Sequence, residues 1–240
     1  MRHRVAHRGY SAVAPENTLP AFAAAVRGGA THVEFDVRTT VDGVPVVIHD
    51  RTLDRTTSGS GFVWEADSSA IRSLDAGSWF SPGFAGVRVP TLAETLDLLG
   101  GGPEILLEIK PPATHDEVKA IVAQVAERGL LSRTIIQSFD PDVVRRAYET
   151  APDVRRGLLR QGLLPETVAL ARELGVSCCN PSVADVLAGR PAVRALTEAG
   201  IDVMPWTAND MSQWAVLASC GVAGLITDRV AELTGWSARA

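Results

Sequence analysis

Short runs of β-forming residues alternate with amphipathic helical stretches along most of this 240-residue chain. The runs that predict strands are residues 5–7, 32–39, 44–49, 105–110, 134–138, 155–159, 176–179, 202–205 and 224–227. The clearest helical stretches between them are "TLPAFAAAVRGG", "HDEVKAIVAQVAERG", "DPDVVRRAYETA", "LPETVALARELG" and "NDMSQWAVLASCG". Strands that alternate with helices of this length form parallel βαβ units. About eight such units predict a closed (β/α)8 TIM barrel, and the alternative is an open, doubly wound sheet.

One segment, residues 51–90, departs from this alternation. It is rich in glycine and serine and carries Trp64, Trp79, Phe80 and Phe84. A long segment with so little regular structure in a compact chain is usually functional or a small subdomain. We therefore expect residues 1–240 to form a single domain that is interrupted at about residues 51–90.

Charge and composition exclude several classes of function. A formal net charge of −5 leaves no basic footprint, so nucleic acid is not expected as a partner. No uninterrupted apolar run reaches the length of a membrane span, and the N-terminal "MRHRVAHRGY" lacks the apolar core of a secretory leader. The three cysteines do not suggest a disulfide framework, which favours a cytoplasmic location. The sequence is compatible with a monomer or a homodimer.

The run "HVEFDV" places two carboxylates on one face of a predicted strand. Side chains alternate across a strand, so Glu34 and Asp36 share a face and the apolar residues between and around them share the other. In a barrel the apolar face packs on the outer helices, and the two carboxylates then point inward near the end where barrel active sites lie. The alternative is an exposed carboxylate pair on an edge strand.

A second strand, "ILLEIK", carries an inward-facing acid and a base. Glu108 and Lys110 lie two residues apart, so they share the face that lines the predicted barrel. Lys110 alone is equally compatible with a simple salt bridge to Glu108. Three carboxylates that converge from two strands require a counter-charge, and an all-oxygen set favours a hard divalent cation such as Mg²⁺ or Ca²⁺ over Zn²⁺. We expect one such cation, for which Mn²⁺ is a further option.

Two histidines occupy matching places at predicted strand ends. His7 ends the first strand in "VAHRG", and His49 ends "PVVIHD". Both would lie beside the predicted cation, where a pair of histidines can divide general acid and general base duties. Arg8 follows His7 and, with Lys110, supplies two positive charges suited to phosphate. The other histidines are assigned no role and lie at a frayed terminus (His3), a strand start (His32) and a first helical turn (His115).

The ordered motifs identify a family. The segments "AHRGYSAVAPENTLPAF", "VEFDVRTTVDGVPVVIHD", "LDRTTSGSGFV", "SLDAGSWF", "FAGVRVPTLAETLDLL", "LLEIK", "QSFD", "WTAN" and "LITD" span nearly the whole chain. In this order they closely resemble the glycerophosphodiester phosphodiesterase family. The resemblance implies a (β/α)8 barrel with a small insertion after the second βα position. It also implies metal-dependent hydrolysis of a glycerophosphodiester to sn-glycerol 3-phosphate and an alcohol.

The resemblance further implies roles for the central residues. Glu34, Asp36 and Glu108 match the family's metal ligands. His7 and His49 match its acid–base pair, which would act on a small-molecule glycerophosphodiester such as one that carries choline, ethanolamine or glycerol. The nucleophile is either the glycerol 2-hydroxyl, through a cyclic phosphate, or water directly.

Other residues match the surroundings of the family's site. Arg8 and Lys110 correspond to its phosphate contacts. Glu16 and Asn17 match its PEN motif, which is expected to hold Arg8, and Asp50 is expected to support His49.

Three aromatic residues are expected to contact the substrate. Trp206 matches the tryptophan of the family's WTxN segment and would wall the substrate, although a plain core role is the alternative. Trp79 and Phe80 would cover the glycerol. Two rival functions stay open: a lysophospholipase D or sphingomyelinase D-like lipid phosphodiesterase, and a metal- and phosphate-binding homologue without turnover.

Overall fold

The computed structural model describes residues 1–239 and contains one nine-stranded sheet. The strands are β1 (His3–Ala6), β2 (His32–Thr39), β3 (Pro45–Val47), β4 (Glu104–Ile109), β5 (Thr134–Ser138), β6 (Arg155–Arg160), β7 (Cys178–Pro181), β8 (Asp202–Val203) and β9 (Gly224–Thr227). Eight run parallel in the order β8-β7-β6-β5-β4-β2-β1-β9. The outer two strands meet where Ala223 N–H donates to Val203 O at 2.8 Å and Ile226 N–H donates to Pro205 O at 3.0 Å. The ring is thereby closed, and the predicted barrel is confirmed.

The helices follow the strands around the outside of this ring. They are α1 (Leu19–Arg27), α2 (Ser68–Ser73), α3 (Leu92–Leu99), α4 (His115–Glu127), α5 (Pro141–Thr150), α6 (Pro165–Glu173), α7 (Val183–Ala188), α8 (Arg190–Glu198), α9 (Trp214–Ser219) and α10 (Val230–Ser237). Helix α4 begins at a capping box, in which Thr114 Oγ1 accepts from Glu117 N–H at 3.2 Å and the Glu117 carboxylate accepts from Thr114 N–H at 2.6 Å. Within residues 1–239, no helix combines the length and the apolar content that a membrane crossing demands.

The two faces of β2 separate the apolar core from the barrel interior. Val33, Phe35 and Val37 are fully buried in a core cluster that also contains Phe22 of α1 and Leu96 of α3. Burial of such side chains stabilises the fold by roughly 1.5–3 kcal/mol each. The other face of β2 carries Glu34 and Asp36 into the ring, as the alternation in "HVEFDV" predicts. The outer packing of β2 therefore fixes the direction of its acidic face.

The irregular segment of residues 51–90 lies between β3 and α3. It contains 3-10 helices at Val63–Glu65 and Pro82–Phe84 besides the short helix α2. A separate apolar cluster holds the segment to the β2–β3 hairpin, and its buried members are Val46, Ile48, Leu53, Val63, Ile71, Ala76 and Val89. The segment therefore packs beside the chain that leads from β3 to His49.

One prediction about local structure holds only in part, and another is wrong. The predicted strand at residues 44–49 is present but shorter, as β3, and it pairs antiparallel with β2, so His49 lies two residues beyond a hairpin strand rather than at the end of a strand. Ile48 N–H donates to Asp36 O at 3.0 Å, which still directs the chain toward the site. His3 is not at a frayed terminus, because it lies in β1 and pairs with Gly224 of β9.

Candidate active site

A cavity of about 320 Å³ opens at the carboxyl ends of the barrel strands. The residues that line it are His7, Arg8, Glu34, His49, Glu108, Lys110, Gln137, Phe139, Leu159, Gln161, Trp206 and Ile226. Seven of these are candidates from the sequence, and they come from strands far apart in the chain. Barrel enzymes place their active sites at this end. The cavity is therefore the candidate active site.

Three buried carboxylates converge below this cavity. Asp36 on β2 and Glu108 on β4 are register partners, and Glu34 lies two residues before Asp36 on the same face. One oxygen from each carboxylate lies within 4.8 Å of the others. Their exposed fractions are only 1 to 4%. A buried, all-oxygen donor set of this size fits a hard divalent cation, with positions left for water or substrate.

The triad carries more negative charge than its protein neighbours neutralise. Lys110 Nζ lies 3.0 Å from Asp36 Oδ1 and 2.7 Å from Glu108 Oε1. Burial raises the pKa of Glu108 to about 7, with help from the charge of Asp36, and raises the pKa of Glu34 well above its usual value. Burial opposes ionisation of Asp36 too, but Lys110 and Arg8 outweigh it and lower the pKa of Asp36. A bound divalent cation would offset this charge and favour the ionised forms of Glu34 and Glu108.

A tight turn after β1 places Arg8 beside the triad. Arg8 has φ +54° and Gly9 has φ +83°. A Cβ at Gly9 would lie 2.7 Å from the backbone of Ala21, so the turn requires glycine. Arg8 N–H donates to Glu34 Oε2 at 2.9 Å, and Arg8 Nε lies 3.4 Å from Asp36 Oδ2. Left-handed backbone at a non-glycine residue costs on the order of 1 kcal/mol or more, and such strain clusters at functional sites.

The PEN motif holds this arrangement from the loop before α1. Glu16 Oε1 accepts from Arg8 at 2.8 Å. Asn17, also left-handed at φ +57°, donates from Nδ2 to Asp36 Oδ2 at 2.8 Å and accepts from Asp36 N–H at 3.2 Å. The motif therefore contacts both the arginine and one carboxylate of the triad.

His7 is held by a carboxylate from the opposite end of the chain. Its Nδ1 lies 2.7 Å from Asp228 Oδ1, just after β9. Asp228 also accepts from Ser11 Oγ at 3.0 Å and from Asn209 Nδ2 at 2.6 Å. These hydrogen bonds outweigh burial and lower the pKa of Asp228 to about 2. An ionised carboxylate only accepts, so Nδ1 of His7 carries the proton and Nε2 is left for the cavity.

His49 has a matching arrangement on the other side. Its Nδ1 lies 2.6 Å from Asp50 Oδ1, and its backbone carbonyl accepts from Arg38 Nε at 2.9 Å. Asp50 in turn is held by Arg55 Nε at 2.7 Å. Burial lowers the pKa of the His49 ring, and the nearby Lys110 adds to this shift. This shift favours the neutral ring, and Nε2 has no carboxylate partner.

Another part of the cavity lining is aromatic and amide-bearing. Phe139 and Trp206 pack edge to face with ring centroids 5.6 Å apart, and Trp206 Nε1 donates to Asn180 O at 2.9 Å. Gln137 on β5 is the register partner of Glu108 on β4. Trp79 and Phe80 are not among the residues that line the cavity, and Trp79 Nε1 instead donates to Ala76 O at 2.9 Å.

Several residues of this site were not among the candidates predicted from the sequence. Asp228 holds His7 and is itself held by Asn209, Arg55 holds Asp50 and Glu16, and Gln137 and Phe139 line the cavity. A signal was present, because Asp228 follows the predicted strand 224–227 directly and so belongs at the same barrel end as His7.

Comparison with known proteins gives one consistent answer. The model of the glycerophosphoryl diester phosphodiesterase family matches residues 7–232. The chain is 36% identical over 230 residues to a glycerophosphodiester phosphodiesterase of Caldanaerobacter subterraneus subsp. tengcongensis, with 93% of each chain covered. A crystal structure of a glycerophosphodiester phosphodiesterase from Agrobacterium tumefaciens is 33% identical, with a TM-score of 0.84 and 96% and 98% of the two chains covered. An Oleispira antarctica phosphodiesterase in complex with the product sn-glycerol-3-phosphate is 27% identical, with a TM-score of 0.85 and 96% and 94% covered.

Proposed function

The chain belongs to the glycerophosphoryl diester phosphodiesterase family, and from that membership we propose that it hydrolyses small glycerophosphodiesters to sn-glycerol 3-phosphate and a free alcohol. The observation that carries this proposal is a single cavity that two carboxylate-held histidines, Arg8, Lys110 and a buried carboxylate triad all border or underlie. The Oleispira relative, crystallised with sn-glycerol-3-phosphate as its product, supports the same product here.

Glu34, Asp36 and Glu108 would hold one divalent cation, Mg²⁺ or Ca²⁺, with Mn²⁺ as a further option. Their convergence within 4.8 Å and the raised pKa values of Glu34 and Glu108 support this assignment. A cation bound there supplies positive charge that stabilises the phosphoryl oxygens as negative charge develops on them.

Arg8 and Lys110 contact the substrate phosphate. Arg8 is suited to this task because its guanidinium can donate two parallel hydrogen bonds to a phosphate group. Lys110 acts as a point charge whose position is set by Asp36 and Glu108. Together they orient the phosphate between the two histidines and offset its charge.

His7 and His49 divide the proton transfers. One, as the neutral ring, takes a proton at Nε2 from the nucleophile, and the other, protonated at both ring nitrogens, gives its Nε2 proton to the departing alkoxide. The carboxylates of Asp228 and Asp50 accept from Nδ1–H of the two rings, which fixes their orientation and leaves Nε2 as the atom that takes or gives the proton. The nucleophile is the glycerol 2-hydroxyl or water, and both fit the same division of roles. Trp206, which lines the cavity, walls the substrate.

A substrate panel tests the proposal. Glycerophosphocholine, glycerophosphoethanolamine and lysophosphatidylcholine are each incubated with the protein and Mg²⁺, Ca²⁺ or Mn²⁺, with and without EDTA. We expect release of sn-glycerol 3-phosphate from the first two and its loss in EDTA. Turnover confined to lysophosphatidylcholine would instead favour a lipid-directed phosphodiesterase. Absence of turnover with every diester and cation would leave a binding module and overturn the proposal.

We further propose that the enzyme works in the cytoplasm, in the turnover of lipid-derived glycerophosphodiesters. The three cysteines are all free, and Cys178 and Cys179 are buried, which supports a reducing compartment. Fractionation of the native cells, followed by detection of the protein, tests the location.

A further inference from the structure

We propose that Arg55, in the segment of residues 51–90, is a positioning residue that holds the phosphate-binding Arg8 and the acid–base residue His49 in register with each other. This inference rests on the proposed function and adds a residue to it. Arg55 does not line the cavity, so it acts through its two carboxylate partners rather than on the substrate. Those partners are Glu16, which holds Arg8, and Asp50, which holds His49.

The geometry of Arg55 is a double fork. Nε and Nη2 donate to the two oxygens of Asp50 at 2.7 and 3.0 Å. Nη1 and Nη2 donate to the two oxygens of Glu16 at 2.8 Å each. A planar guanidinium can make both bidentate contacts at once, whereas an ammonium cannot. One side chain thus bridges the loop after β1 and the loop after β3.

The charges along this bridge alternate. In order, the charged groups are Asp36, Arg8, Glu16, Arg55 and Asp50, and Asp50 contacts the ring of His49. Asp50 has a lowered pKa, chiefly because of its hydrogen bonds from Arg55. Burial alone would raise the pKa of Glu16. The contacts with Arg55 and Arg8 more than offset burial, so the pKa of Glu16 is lowered. Both carboxylates are therefore ionised and each is shared between Arg55 and a residue that borders the cavity.

The bridge is anchored at its far end by the apolar cluster of the segment. Leu53 is buried in that cluster, and its carbonyl accepts from Thr57 N–H at 3.1 Å and from Thr57 Oγ1 at 2.6 Å. This turn holds Arg55 at a fixed place relative to the barrel. The segment therefore serves the site as a support for two loops that no strand pairing joins directly.

Substitutions of Arg55 with a matched control test the role. Arg145 is the control, because its side chain is 43% exposed against 44% for Arg55 and it also bridges two carboxylates, Asp142 and Glu173. We expect Arg55→Ala to lower kcat for glycerophosphocholine roughly 10- to 100-fold, as loss of residues that orient ligands typically does. Arg55→Lys should be intermediate, and added guanidinium should partly restore Arg55→Ala. Arg145→Ala should stay within about two-fold of the parent protein.

Double variants separate positioning from general support of the fold. If Arg55 acts through Glu16 and Asp50, Arg55→Ala should have little further effect in a Glu16→Gln, Asp50→Asn background. Full additivity of the losses would overturn the proposal. So would equal losses in Arg55→Ala and Arg145→Ala, since those would reflect a general surface effect.

A readout that needs no turnover completes the test. Long-range ¹H–¹⁵N NMR reports which nitrogen of each histidine carries the proton. In the parent protein His49 should be the Nδ1–H tautomer, and in Arg55→Ala it should become a mixture, while His7 stays unchanged. An unchanged His49 spectrum would refute the role of Arg55 even in an inactive protein, whereas absence of turnover in the parent protein would refute only the proposed function.

Discussion

The two ends of the barrel carry similar sets of residues and use them differently. At the amino ends of the strands lie two histidines, two carboxylates and two arginines: His3, His32, Glu104, Asp202, Arg2 and Arg155. Each histidine and each arginine of this set contacts a carboxylate. His3 Nε2 lies 3.1 Å from Asp202, and His32 Nε2 lies 3.1 Å from Glu104. Each carboxylate also has an arginine, at 2.5 Å for Asp202 and 2.8 Å for Glu104.

The carboxyl end leaves the same kinds of groups unbalanced. Three buried carboxylates there share two cations, and one of these, Arg8, is also shared with Glu16. The histidines differ too. His32 has contacts at both ring nitrogens, with Thr31 and Glu104, whereas His7 and His49 use only Nδ1 for a carboxylate. The types of residue present therefore do not distinguish an active site from a structural cluster. What distinguishes the carboxyl end is carboxylate charge that is not neutralised and a histidine nitrogen without a carboxylate partner, both beside a cavity.

Substitution of the carboxylate triad should produce the largest difference in activity between variants at the two ends of the barrel. Glu34→Gln should lower kcat/KM by roughly three orders of magnitude or more, because a bound cation contributes several kcal/mol to the transition state. In the absence of divalent cations the same variant should melt no lower than the parent, since burial and its acidic neighbours disfavour ionised Glu34. Steady-state kinetics and thermal melts with and without Mg²⁺ check both points.

The control for this prediction lies at the opposite end. Glu104→Gln removes a carboxylate that already has its partners, so kcat/KM should be unchanged. Mg²⁺ should raise the melting temperature of the parent and of Glu104→Gln but not of Glu34→Gln. A Mg²⁺-dependent shift that survives in Glu34→Gln would contradict the assignment of the triad.

The histidines should show the next largest effect. His7→Ala and His49→Ala should each lower kcat roughly 10²- to 10⁴-fold with glycerophosphocholine. With a p-nitrophenyl leaving group, which departs without a proton, the variant that lacks the general acid should recover most of its rate. His3→Ala at the other end should retain its rate. Near-full activity of His49→Ala with glycerophosphocholine would remove it from the mechanism.

A smaller effect is expected from the residues that hold the rings. Asp228→Asn should lower kcat roughly 10- to 100-fold, because the amide no longer fixes the Nδ1–H tautomer of His7. Asp202→Asn, which alters the carboxylate of His3, should leave kcat unchanged and affect only the melting temperature. Comparison of the two variants by kinetics and melting tests whether a carboxylate beside a histidine has a catalytic effect at one end alone. Equal kcat values for both would contradict this.

Local pattern was enough for much of the barrel. The alternation in "HVEFDV" predicts both the strand and the inward face of Glu34 and Asp36, because outer apolar packing leaves no other orientation. Strands at 32–39, 134–138 and 224–227 match β2, β5 and β9. The antiparallel pairing of β2 with β3 also has a signal in the sequence. Residues 40–44 form a turn in which Gly43 has φ +79°, and an Asp-Gly pair between apolar runs is typical of a hairpin.

Some contacts of the site join residues that are distant in the sequence, and local sequence pattern does not predict them. Asp228 reaches His7 across 221 residues, and Arg55 reaches Glu16 across 39. Neither contact has a spacing that a helix or strand repeat would predict. His3 was placed at a frayed terminus for the same reason, since only its pairing with Gly224 makes it part of β1.

The smallest effect on activity, and a clear effect on stability, is expected from His32. Burial, together with the nearby His3, lowers the pKa of His32 to about 4, whereas the ring in the unfolded chain titrates near 6.5. Below pH 6.5 the unfolded chain therefore binds a proton that the folded protein does not, and stability falls as the pH falls toward 4. This one group should cost about 1.5 kcal/mol of unfolding free energy between pH 6.5 and 5. His32→Gln has no proton to bind, so urea melts at the two pH values should show a loss smaller by about that amount. The kcat of His32→Gln should match that of the parent at pH 7. A large fall in kcat would show that residues at the amino end of the barrel also affect activity.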